Sequence, residues 1–188
     1  MHGRLSRIIP AVALAVLLAS SMAGCGASPS PSPSSAVAGG FEEYATAYCS
    51  AWGTMFRVVG NPETAGWTDG VHQLQAAADA HDDATAARLQ GGINTELEAA
   101  RRQIAYAAGW PPAAKAMAQM DIFFVAVETW VTTYVDLAKG VPNTPDAQTA
   151  FEAAGGLTAW RGLFEAQADI APFRPATAAR CEGAPISP

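Results

Sequence analysis

The chain has 188 residues, half of them hydrophobic, with 11 basic against 17 acidic side chains and a net charge of −6. That length supports one domain with its own core. The acidic balance excludes nucleic acid and anionic lipid head groups as partners held by charge, because both demand surplus Lys and Arg.

The amino terminus reads as a signal peptide. Arg4 and Arg7 form a short basic region, and Ile8 to Leu18 is apolar apart from Pro10. This run is shorter than the roughly 20 residues of a membrane span. It leads through small residues into Met22-Ala23-Gly24-Cys25. That tetrapeptide resembles the lipobox of bacterial lipoproteins, with Met22 standing where Leu is usual. The resemblance implies cleavage before Cys25 and a diacylglycerol thioether on its sulfur. Residues 1–24 are then a cleaved leader, exported by general secretion because no twin-Arg pair is present. Without the leader, nine basic residues face seventeen acidic ones, a net charge near −8. The membrane contact therefore falls to the lipid, and two acyl chains anchor stably where one does not.

Residues 25–40 read as a lipidated tether. The stretch from Gly26 to Ser35 is GASPSPSPSS, and Ala36 to Gly40 is small. Neither can build a core, which predicts disorder and a polyproline-like reach of roughly 40 Å. Residues 41–188 form the folded region. Alanine is abundant there and β-branched residues are sparse, which favours helix.

Five helical segments follow in chain order. The first spans Phe41 to Val59, with Phe41, Tyr44, Tyr48, Trp52, Met55, Phe56 and Val59 at three- and four-residue steps. Gly60 stops it. Asn61-Pro62 opens a second, carrying Trp67, Val71, Leu74 and Ala78 and ending near Ala80; Gly66 and Gly70 delay firm helix to about Thr68 or Asp69. Asp82 or Asp83 caps a third, running to Ala108 with Leu89, Ile93, Leu97, Ala100 and Ile104 inward. Glu98 and Arg102 make an i,i+4 pair on its surface.

Gly109-Trp110-Pro111-Pro112 breaks the chain, and Trp110 is either a staple over the bundle end or an exposed contact residue. The fourth helix, Pro112 to Lys139, has an apolar face from Met120 to Tyr134 and an opposite face of Asp121, Glu128, Thr132 and Asp136, and Gly140 and Pro142 end it. Asp146 caps a fifth, to Ile170, with Phe151, Ala154, Leu157, Trp160 and Phe164 inward and a kink or close approach at Gly155-Gly156. No strand-period run appears. The predicted fold is all-α, a single antiparallel bundle of four to five helices with an extended tail.

With Cys25 lipidated, Cys49 and Cys181 remain at opposite ends of the folded region. In an oxidising compartment they read as a disulfide, against free thiols or metal ligands. Catalytic patterns are scarce. No Glu-x-x-His pair, His-Glu-x-x-His, P-loop or dinucleotide glycine motif occurs, and Ser50 lacks a nucleophile elbow. His72, three residues after Asp69, and His81, before Asp82 and Asp83, could ligate a metal or haem. On one helix they would project to opposite sides, so exposed helix-face histidines account for them as well. Tyr48, Trp52, Trp67, Trp130, Tyr134 and Trp160 could line a pocket for a small apolar ligand, or simply pack the core.

The expected protein is thus an extracytoplasmic, lipid-anchored lipoprotein with a helical binding or interaction domain. It is expected to need no cofactor, to catalyse nothing and to contact an envelope protein. Carriage of an apolar ligand or haem is the alternative, and an envelope enzyme with an unrecognised site the remaining one.

Overall fold

A computed structural model describes residues 35–60, 70–173, 176 and 181. Six α-helices account for most of these residues, with no strand among them. They are α1 (Ser35–Val59), α2 (Gly70–Asp79), α3 (Asp83–Ala107), α4 (Pro111–Ala138), α5 (Ala147–Ala153) and α6 (Gly156–Ile170). A 3-10 turn follows at Ala171–Phe173. The all-α bundle expected from composition is the observed fold.

The long helices pack antiparallel, and cross-helix contacts fix the sense. Between α1 and α3, Tyr44 meets Tyr106 while Arg57 pairs with Glu96. Between α3 and α4, Gln90 meets Thr132 while Arg101 meets Asp121. Between α4 and α6, a Cβ on Gly162 would touch Gln119, and one on Gly155 would touch Ile122. In each pair, residue numbers rise on one helix as they fall on the other. The most apolar helix, α4, lies between α3 on one side and α5–α6 on the other.

Local chemistry sets most boundaries where the sequence places them. Asp82 and Asp146 accept hydrogen bonds from the backbone N–H groups of Thr85 and Thr149, each at 3.1 Å, capping α3 and α5. Prolines 111 and 112 occupy the first turn of α4, where the missing N–H groups have no intrahelical partner to lose. Gly60 and Gly140 end α1 and α4 in the left-handed conformation.

Two expectations are corrected. The first helix begins at Ser35, so Ala36 to Gly40, read as tether, is helical. A helix already nucleated by packing extends through small residues at little further cost. The fifth predicted segment is two helices. Gly155 adopts φ 86°, a left-handed conformation that caps α6 and breaks the run.

The break accompanies a different buried face. The residues of α6 that point inward are Gly156, Ala159, Leu163, Ala166 and Ile170. Small side chains there let α6 lie close against α4, and the larger Leu157 and Phe164, expected inside, are 41% and 45% exposed.

Trp110 is 1% exposed. Its ring packs on Phe41 at 4.8 Å, on Tyr48 at 6.0 Å and on Phe173 at 5.2 Å. It is the staple over the bundle end, and the exposed-contact alternative is excluded. Cys49 and Cys181 form a disulfide with Cα atoms 5.3 Å apart, joining the tail to α1.

Candidate functional site

The aromatic residues expected to share a pocket divide into separate groups. Tyr48 and Trp52 lie on one face of α1, 6.4 Å apart, with Trp52 stacked on Phe56 at 6.2 Å. Trp130 and Tyr134 stack on each other at 4.8 Å along α4. Tyr134 also donates its hydroxyl to Asp79 of α2 at 2.7 Å. Burial, then the Asp79 carboxylate, push the Tyr134 hydroxyl well above the ordinary tyrosine pKa. This pair fastens α2 to α4 and is a packing element. Trp67 lies outside the described residues.

Trp160 belongs with α6 and α4. Its ring is 5.3 Å from Phe123 and 5.0 Å from Phe164, the latter edge-on. The structure does bring Trp160 together with Trp52. Both line a small space between α1 and α6, with Leu163, Phe164 and Gln167 as the other walls. The space measures about 10 Å³. Sites for drug-sized ligands run to several hundred Å³ (roughly 300–1,000), so an apolar ligand or a haem does not fit there.

On its outer side α6 carries an apolar stripe, which shares Trp160 and Phe164 with this space. Leu157, Trp160 and Phe164 follow at i, i+3 and i+7, which places them in line on one face. Leu157 and Phe164 are exposed and Trp160 is half-buried. Ile122, also exposed, lies beside the α5–α6 corner against Gly155. Sequence periodicity finds Leu157, Trp160 and Phe164 but assigns them to the interior.

A broader, open groove of about 620 Å³ runs between α3 and α4. Ile104, Ala105, Ala108, Met117 and Ala118 floor it, and two ion pairs flank it. Arg101 Nε donates to Asp121 Oδ1 at 2.7 Å, and Arg102 donates to Glu98 at 3.2 Å, the pairing expected from sequence. The Asp121 hydrogen bond and charge hold Arg101 protonated even more firmly than usual. Each arginine spends its charge on a neighbouring carboxylate, so the groove has no surplus cation for an anionic ligand.

The histidines do not converge. His72 is half-buried on α2, whereas His81 is exposed at the α2–α3 junction with φ 55°. Among the described residues, no group of three or more His, Cys, Asp or Glu side chains could hold a metal ion. No helix among them is long and apolar enough to cross a membrane. Cys25 and its lipobox lie outside the described residues.

Sequence reasoning missed Gln167. It stands near the end of α6, four residues after Leu163, and lines the same space as Trp160 and Trp52, with its amide nitrogen buried and without a hydrogen-bond partner. A lone glutamine on an otherwise apolar seam is the available signal. No protein-family model, curated protein or solved structure matches the chain.

Proposed function

We propose that this protein is an exported lipoprotein, held to a membrane by diacylglycerol on Cys25, whose bundle is a binding or interaction domain for an envelope protein. The leader, with its basic start, apolar run and lipobox in order, supports the address. The stripe of exposed Leu157 and Phe164, with half-buried Trp160 between them, carries the interaction reading. Apolar side chains scattered singly need no explanation, but apolar side chains aligned on one helix face suit a contact surface. Interior carriage of an apolar ligand or haem is less favoured, because the space between Trp52 and Trp160 is about 10 Å³.

Two measurements test the proposal in its two parts. Cys25→Ser should move the protein from the membrane fraction to the soluble one, with loss of acyl labelling. A mutant that stays with membranes after a high-salt wash refutes the anchor. For the domain, a photo-crosslinking amino acid placed at 157 or 164 in cells should give one discrete adduct, absent when it replaces Thr158 or Glu165 instead. Equal crosslinking from all four positions, or none from any, refutes the contact surface.

A further inference from the structure

Among the described residues, four side-chain polar atoms are buried without a partner, and two of the side chains that carry them line one space. Trp52 is 3% exposed, yet its indole N–H meets no acceptor. The Gln167 amide nitrogen is likewise buried and unpartnered. These side chains come from α1 and α6, 115 positions apart in sequence, and both line the same space of about 10 Å³. The other walls are Trp160, Leu163 and Phe164. None of those three offers a hydrogen-bond acceptor from its side chain.

A buried N–H with no partner leaves its lost hydration uncompensated, and both side chains that carry such donors line this space. Donors also cannot satisfy each other. What resolves both is one oxygen with two lone pairs. Size limits which oxygen, because a site needs about 10–15 Å³ by this measure to admit a single water. Nothing larger enters without moving a tryptophan.

We propose that Trp52 and Gln167 form a binding site for one internal water, which accepts from the Trp52 Nε1–H and the Gln167 Nε2–H and joins α1 to α6. Its walls Trp160 and Phe164 also belong to the outer stripe, but the water itself needs no partner bound there. It makes Gln167 a structural ligand holder, and it gives Trp52 a role that its aromatic neighbours do not share.

The test uses the full-length protein labelled with ¹⁵N. The Trp52 indole proton, assigned by its loss in Trp52→Phe, should show a through-space cross-peak to water of the sign that marks a bound water. In Gln167→Leu, or in Gln167→Met should the leucine variant not fold, that cross-peak should vanish while helical circular dichroism is kept. A crystal structure of the wild type should place a water oxygen about 3 Å from both nitrogens. An indole proton with no water cross-peak overturns the proposal. So does a hydrogen-bonded indole shift without that cross-peak, which would assign the acceptor to Gln167 Oε1 directly. A cross-peak unchanged in the Gln167 variants overturns it too.

Discussion

Removing the Cys49–Cys181 bond is the most decisive test of how the tail is held. The two cysteines are separated by 132 positions. Loop-closure entropy for a ring of that size gives a stabilisation of about 5 kcal/mol at 25 °C, with 2–4 kcal/mol the usual measured range. Cys181 is 3% exposed, so its replacement also leaves a small packing defect. The double variant Cys49→Ala/Cys181→Ala avoids a stray thiol and adds no buried hydroxyl. Domains of this kind have a net stability of about 5–15 kcal/mol. A loss of 2–5 kcal/mol therefore removes a large share of it. With a urea m-value of about 2 kcal/mol/M, the unfolding midpoint should fall by roughly 1–2.5 M. Reducing the wild-type protein should give the same shift. A fall below about 1 kcal/mol, with the native bond verified by non-reducing mass mapping, would refute the ring-entropy reasoning.

Gly156→Ala should destabilise the fold by about 1–3 kcal/mol in urea titrations, because the new Cβ would clash with the tip of the Phe151 ring and overpack the site. Adding Phe151→Ala should recover part of the loss, as a double-mutant cycle would measure. Tyr134→Phe tests the α2–α4 link through pH. Its hydroxyl pKa is raised in the folded state, so its stabilising contribution is complete below the unfolded value near 10. That contribution is lost as pH rises through the folded value. The wild type should lose more stability than Tyr134→Phe between pH 9 and pH 11, and parallel curves would contradict the assignment.

Elements governed by nearby residues were legible in the sequence. The caps at Asp82 and Asp146, the stops at Gly60 and Gly140, and the inner line of α3 through Ile93, Leu97, Ala100 and Ile104 all depend on neighbours within a turn or two. The inward face of α6 was not legible, and the reason is physical. Periodicity weights large apolar side chains, so it selects Leu157, Trp160 and Phe164. Close approach to α4 instead demands Gly156 and Ala159, and the bulky residues are turned outward. The meeting of Trp52 with Gln167 lay further out of reach, since only the packing of α1 beside α6 brings them to one space. For Trp110, sequence narrowed the choice to two roles, and contact with Phe41 and Phe173 decided it.

The Cys49–Cys181 bond also turns the bundle into a covalent ring. Nearly every helix after the first two-thirds of α1 lies inside that ring. The exposed segment Gly140 to Asn143, between α4 and α5, is the natural place for a protease to cut. A single cut there would yield two fragments that still migrate as one molecule until the disulfide is reduced. Nicked there, the domain would keep its fragments together, with the carboxy-terminal piece still tied to α1.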